Sequence, residues 1–410
     1  MFLIGLSSRT IAKSVLGALL AFSCVPATAQ VEQPSTPVEK GALGKDVPAF
    51  WVRPGYRVTL AASDIPNARF MVFNDRGDTL YMSRPGPGDI LALKDKDKDG
   101  VYETRTTFTS GKPTVHGLCF ADGWLYFTQS GVVWQARDTD GDGKADEEQA
   151  VIPDGQLPKG GGHWWRPILV TKDALYTGIG DDGNLNDHRN DDREKLFRFN
   201  KDGSGKTEFV SGIRNTEKLL LRPGTDEIWG ADHGSDWMGG PLGDKKGMQP
   251  ITNNNPPCEF NYYKAGGFYG HPFITGTGMP RLEFRDAPDL IDIAAKTTLP
   301  EWNLGAHWAP NGFTFLAKDY FGKDHVGDAL IACHGSWNST KPVGYRVERI
   351  CFDKVSGKPY GGLMIVGTLS ADNKVIGRPV DCVEAPDGTV LFSDDQTNRI
   401  YRISRNDKKR

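Results

Sequence analysis

Two kinds of residue cluster in this chain could do chemistry. The first is "KGGGHWWRPILV", Lys159 to Val170, where three glycines lead into His163, Trp164 and Trp165 at the mouth of a strand-like run. An imidazole there titrates near neutrality and can take a proton; the indoles offer faces on which a ring can stack. A satisfied loop histidine would have the same neighbours. The second kind is acidic. "DKDKDG" followed by Glu103 and "DTDGDG" followed by Asp146 both read D-x-D-x-D-G-x-x-acid. That spacing sets Asp95, Asp97 and Asp99, and Asp138, Asp140, Asp142 and Asp146, on one side of a tight turn, as in calcium loops. Both lack the acid that completes an EF-hand, and a solvated hairpin is the simpler alternative. They recur at equivalent positions away from His163, so structural calcium is the expectation and catalysis is not.

The elements that must position these groups are short strands. Gly (49) and Pro (26) are abundant, and amphipathic helical windows are nearly absent. The pattern turn, Leu-Tyr strand, polar segment, second strand, acidic Gly turn recurs six times. It runs through "GDTLYMSRPGPGDILALKDKDKDG", "DGWLYFTQSGVVWQARDTDGDG", "KDALYTGIGDDG", "GTDEIWGADHG", "GDALIACHGSW" and "DGTVLFSDDQTNRIYRI". A period of roughly 45–60 residues is that of propeller blades. The expected fold is all-β, a six-bladed β-propeller of four-stranded antiparallel blades over residues 49–410. "YRVTLAAS" is expected to complete the last blade and close the ring. The long gap between Trp229 and Leu330 is read as loops, not a missing blade.

Residues 1–29 have the charge, apolar core and Ala-x-Ala site of a secretory signal peptide cut near Ala29, and residues 30–48 are expected to form a flexible leader. The expected location is periplasmic or secreted. No later apolar run suits a membrane helix. The formal charge of -3 becomes about -5 without the signal peptide's two cations, Arg9 and Lys13, which speaks against the basic stripe a nucleic-acid partner would need. The remaining cysteines are odd in number and scattered, so no disulfide framework is assigned, and there is no C-x-x-C-H haem motif.

Five motifs, "GGHWWRPILVTKDALYTGIGDDGN", "SGIRNTEKLLLRPGTDEIWGADHG", "GFYGHP", "HGSWN" and "GRPVDCVEAPDG", occur in order. Together they resemble the soluble quinoprotein sugar dehydrogenases, which carry pyrroloquinoline quinone (PQQ), over roughly Arg53 to Ser404. The resemblance implies His163 as the base and Asp181 as its carboxylate partner. It implies Arg214 and Asn215 at the quinone carbonyls, with Arg214 steadying developing negative charge, and Arg378 on a cofactor carboxylate. It also implies a calcium ion on the main-chain carbonyls of Gly234 and Ser235. Lys341, His334, His116 and His307 are further candidates for lining the channel. Val380 stands where the glucose branch has a second arginine, and Ser339 where the sorbosone-like branch has arginine; the former favours the sorbosone and pyranose branch. The implied activity is PQQ- and calcium-dependent oxidation of a sugar or sugar aldehyde, with a separate electron acceptor. Two alternatives stay open. One is a calcium-dependent lactonase using Asp181, Asn184, Asn215 and Asp232. The other is a carbohydrate-binding propeller using Trp164 and Trp237.

Overall fold

Alternating strands and tight turns build six sheets around one axis in a computed structural model. It describes residues 40–239 and 250–406. The signal-peptide expectation lies outside the described residues. Blade 1 is Met71–Phe73, Leu80–Arg84, Asp89–Lys94 and Thr104–Thr109, and blade 2 is Leu118–Ala121, Trp124–Gln129, Val132–Arg137 and Glu147–Ile152. Blade 3 is Ile168–Val170, Leu175–Ile179, Lys195–Phe199 and Thr207–Ser211, with Gly267–Phe268 added in parallel at its edge. Blade 4 is Thr216–Leu221, Ile228–Asp232, Pro257–Tyr263 and Trp302–Ala306. Blade 5 is Pro310–Phe315, Ala329–Cys333, Arg346–Phe352 and Pro359–Gly367, edged by Trp51–Val52. Blade 6 is Pro379–Glu384, Val390–Asp394, Arg399–Arg405 and Tyr56–Ala62.

This is the six-bladed propeller that the repeats predict. The first strand of each blade is innermost; each touches the next around the axis, and the sixth touches the first. Tyr56–Ala62 pairs antiparallel with Arg399–Arg405 and closes the ring. Local chemistry makes the hairpins. Asp122 and Gly123, both at positive φ, turn Leu118–Ala121 into Trp124–Gln129, as a two-residue type I′ connection requires.

The core lies between blades. Trp229 and Phe260 of blade 4 pack against Phe313, Phe315 and Phe352 of blade 5, with Trp229 and Phe260 ring centres 5.0 Å apart. Adjacent blades thus share one apolar layer, so each fixes the angle of the next. Two expectations need adjustment. "PCEFNYY" in the long gap is a strand, the third of blade 4; the insertion proper follows it and carries the helix Leu290–Lys296. Among the described residues the gap holds no seventh blade. In the segment expected as a flexible leader, Ala42–Leu43 pairs in parallel with Arg57 and Val58. No described helix is long and apolar enough to cross a membrane.

Candidate active site

The blade repeat puts chemically useful residues at one end of the axis. Each inner strand begins there, and the antiparallel second strand ends there. Residues at or just before inner strands are Arg69, His116, His163 with Trp165, Arg214 with Asn215, Asn311, and Arg378. Residues just past second strands include Asp181, His233 with Gly234, His334, and Asp395. Most of these line a cavity of about 230 Å³, among them Arg69, His163, Arg214, Asn215, His334 and Arg378. An adjoining lobe of about 500 Å³ shares Arg69, Trp165 and Arg378 and adds Trp164.

The glycines before His163 let its loop lie directly on the next hairpin. Gly161 has φ +86°, and a Cβ there would stand 2.6 Å from Cβ of Asp182. The Gly162 N–H donates to the Asp182 carbonyl at 2.7 Å. The loop therefore delivers His163 with its Nδ1–H donating to the Asp181 carbonyl at 2.8 Å. That bond leaves Nε2 with its lone pair at the cavity and no hydrogen-bond partner among the described residues. Burial, then the nearby Arg214 guanidinium, pushes the ring's pKa down to about 3, so it is neutral at physiological pH.

Arg214 is anchored as firmly. Its backbone N–H donates to Asp232 Oδ2 at 2.9 Å, and the Asn215 N–H donates to Asp232 Oδ1 at 2.7 Å. Gly180 makes this possible: a Cβ there would stand 2.1 Å from the Arg214 carbonyl. The guanidinium donates to the Gly234 carbonyl at 3.0 Å and to Asn184 Oδ1 at 2.9 Å. Arg378 hangs by its backbone from Asp394 at 2.8 Å and donates to His334 Nδ1 at 2.9 Å. Among the described residues it has no ion pair, so its charge is available to an anion. His334 in turn donates Nε2–H to Asp395 at 3.0 Å; burial lowers its pKa and keeps it neutral.

Several wall residues escaped the sequence reading. Arg69 bridges Glu217 and Asp395, each at 3.2 Å, with its guanidinium 4.7 Å over the Trp165 ring. Glu217 also accepts from Asn215 Nδ2 at 3.2 Å. Burial favours its neutral form, yet His116 and Arg69 hold its pKa well below the usual carboxylate range. His233 bridges Asn215 Nδ2 and the Pro310 carbonyl, each at 3.2 Å. Exposed Trp337 stands at the mouth. Lining up the two residues before every inner strand and the residue after every second strand would have found Arg69, His233 and Asp395.

Other candidates sit elsewhere. His116 is behind the wall, 3.3 Å from Glu217 and packed on Phe70 and Trp165. His307 does line the cavity, donating Nε2–H to the Thr252 carbonyl at 2.5 Å. Lys341 is exposed and does not line the cavity. Asp181 meets His163 through its carbonyl, not its carboxylate; the carboxylate accepts from the Gly183 N–H at 2.7 Å and from His271 at 3.2 Å. Burial would raise it, but His271 and Gly183 hold it down to about 2. Arg214 engages the Asp232 carboxylate through its backbone N–H and the Asn184 amide oxygen through its guanidinium, while the Asp181 carboxylate faces His271, so the three do not converge on one ion as a lactonase needs. The two acidic hairpins join the outer strands of blades 1 and 2. Their carboxylates accept turn amides, Asp95 from Gly100 and Asp138 from Gly143, at 2.9 and 2.8 Å.

The donor set fits PQQ. Of the three guanidinium groups on the wall, Arg69 is held by Glu217 and Asp395 and Arg214 pairs with Asp236 at 3.3 Å, which leaves Arg378 free for a cofactor carboxylate; buried Asn215 leaves Oδ1 without a partner at the cavity wall, open to a hydroxyl. Calcium on the Gly234–Ser235 turn does not fit this arrangement, because the Gly234 carbonyl already faces a guanidinium.

A family model described as a domain of unknown function, DUF7133, matches residues 46–254, half of the chain. The chain belongs to the DUF7133 family. A second model, described as TrAA12-like, matches residues 292–406 of this DUF7133 protein. An uncharacterized protein of Borreliella burgdorferi is 33% identical over 206 residues, 48% of this chain. The chain spans about half of that relative's length, 49%. Two structures of the AA12 family enzyme of Trichoderma reesei, an iodide and a calcium structure, share the fold. Their TM-scores are 0.75 and 0.74 at 19% and 18% identity, covering 88% and 91% of this chain and 98% and 100% of theirs. The holo form of the pyranose dehydrogenase PQQ domain of Coprinopsis cinerea matches with TM-score 0.72 at 18% identity, over 88% of this chain and 98% of that one. At these identities the likeness establishes the propeller, and these neighbours are of the kind that the motifs resemble.

Proposed function

We propose that this DUF7133 protein is a PQQ-binding oxidoreductase acting on a sugar or sugar aldehyde. The observation that carries the reading is one cavity that sets the bare Nε2 of His163 opposite Arg214 and the ion-pair-free Arg378. A neutral sugar alone has no use for these guanidinium groups. Arg69, Arg214 and Arg378 would hold the anionic cofactor, which supplies a two-electron acceptor when bound. The Trp164–Trp165 pair, stacked with centres 3.7 Å apart, and Trp337 offer faces for the sugar.

The protein's own chemistry is proton transfer and charge stabilisation. His163 accepts the substrate's hydroxyl proton at Nε2, while its bond to the Asp181 carbonyl fixes tautomer and ring plane. A pKa near 3 makes a poor base. An anion seated against Arg214 offsets the second cause of that depression and raises the ring's basicity, while burial, the larger cause, still holds it down. Arg214 then faces the negative charge that develops as the hydroxyl is oxidised. The electron acceptor that follows is a separate partner.

Support comes from the fold shared with the holo PQQ domain of Coprinopsis cinerea. Calcium enters this reading at the two acidic hairpins, where Asp95, Asp97 and Asp99, and Asp138, Asp140 and Asp146, each gather oxygens within 4.8 Å. The test is to add PQQ, with and without calcium, to the apo-protein and supply an aldose or sorbosone with a dye acceptor. Dye reduction and a shifted PQQ absorption spectrum are expected; neither appearing would end this reading.

A further inference from the structure

Behind the cavity wall lies a cluster that proton transfer to His163 does not use. The loop joining the second and third strands of blade 3 folds back so that Asp181, His188 and Glu194, all buried, bring ligand atoms within 4.8 Å of one another. His271, from the insertion in blade 4, enters from the side. Its Nε2 is 3.2 Å from Asp181 Oδ2 and 3.3 Å from Glu194 Oε1; His188 Nε2 is 3.6 Å from Asp181 Oδ1. A tetrahedron of ~2.1 Å metal–ligand bonds has edges of about 3.4 Å.

With both imidazoles neutral, the hydrogens do not suffice to satisfy these four groups. His188 Nδ1 is 2.7 Å from Asp191 Oδ2, and donation there leaves a lone pair on Nε2. Yet Nε2 faces Asp181 at 3.6 Å and Asp182 at 3.1 Å, both acceptors. The single hydrogen on His271 Nε2 serves Asp181, and Glu194 Oε1 is left without a donor although the residue is only 2% exposed. Among the described residues neither Asp181 nor Glu194 has a lysine or arginine partner. Lys195, close by, spends its ammonium on loop carbonyls, including that of His188 at 3.0 Å. Two buried carboxylates facing two imidazole nitrogens call for a cation between them.

We infer that Asp181, His188, Glu194 and His271 form a binding site for one divalent transition-metal ion of the zinc type. Asp181, His188 and Glu194 already gather within 4.8 Å and His271 adds a second nitrogen beside both carboxylates; two nitrogens and two carboxylates suit zinc and its neighbours, whereas calcium prefers more oxygens and longer bonds. The Asp191 carboxylate on the far nitrogen of His188 is the outer partner that metal-bound histidines keep. The ion would pin Asp181, whose carbonyl orients His163, so it acts as a positioning device and takes no part in electron transfer. It stands whether or not the cavity binds PQQ.

The test uses the full chain, stripped with a chelator and titrated at neutral pH with Zn²⁺, then with Co²⁺ as a spectroscopic probe. One equivalent of Zn²⁺ should bind and raise the Tm, and Co²⁺ should give the intense visible bands of a four-coordinate site. Glu194→Gln and His271→Gln should each weaken binding at least 100-fold. A double variant of the acidic hairpins, Asp95→Asn with Asp138→Asn, should bind Zn²⁺ like the parent. Far-ultraviolet circular dichroism checks that each variant is folded. No stoichiometric binding, a six-coordinate Co²⁺ spectrum, or binding lost in the hairpin variant and kept in folded Glu194→Gln would overturn the assignment. Protonated histidines would then be what fills the cluster.

Discussion

Glu259 gives the sharpest test of the electrostatics beneath the site. It is buried on the third strand of blade 4 and borders a small internal cavity with Arg214, His233 and His271. Burial, then the nearby Asp232, pushes its pKa from 4.5 up to about 8. The folded protein therefore keeps a proton that the unfolded chain has released over that whole window. Unfolding sheds the proton, so stability falls as pH rises from 4.5 to about 8 and levels off above. The displacement is worth at most about 5 kcal/mol at the alkaline end. Glu259→Gln keeps an oxygen for the Gly276 N–H, which now sits 2.8 Å away, and has no proton to lose. Urea unfolding of both proteins at intervals from about pH 5 to about pH 9 reads the difference directly. The variant should gain on the wild type steadily across the window, by up to about 5 kcal/mol. A difference that stays flat with pH would refute the reasoning. The same proton matters for ligands: once Glu259 is ionised, its negative charge sits near Arg214. PQQ affinity should then fall above about pH 8 in the wild type and not in Glu259→Gln.

Three further outcomes are expected. Arg378→Ala should weaken PQQ binding about 10- to 100-fold by fluorescence titration, the worth of one charge-assisted contact, and Arg378→Lys should recover only part of it. His163→Gln should cut kcat at least about 100-fold in the dye assay while PQQ affinity changes little; unchanged kcat would remove it as the base. Gly180→Ala should lower the Tm and PQQ affinity together, because its Cβ lands 2.1 Å from the Arg214 carbonyl and shifts the strand start that carries the guanidinium.

The fold was legible because propeller blades repeat. Each Leu-Tyr strand and its Gly turn carries the same local instruction, and six copies leave few other architectures. The site was legible in part. His163, Arg214 and Arg378 stand in motifs with a family likeness, and the structure brings them to one cavity. Arg69 stood in no motif, and Glu217, inside "SGIRNTEK", was given no role, because what each does depends on a pairing across 148 residues of sequence. Lys341 follows a site motif closely yet lies in solvent, since two or three residues of loop suffice to turn a side chain away. Asp181 was found for the wrong atom: sequence names a carboxylate, but only coordinates tell which oxygen, main-chain or side-chain, faces the ring.

The clasp between Tyr56–Ala62 and Arg399–Arg405 has a consequence for how the protein is made. The earlier of these strands leaves the ribosome hundreds of residues ahead of its neighbour and must wait, edge unpaired, until translation is nearly done. Because five of the six blades lend residues to the cavity, the first and the last among them, nothing resembling a working pocket exists before that last pairing. Activity should therefore arrive in one step late in folding, and a cut that frees either strand should abolish it outright.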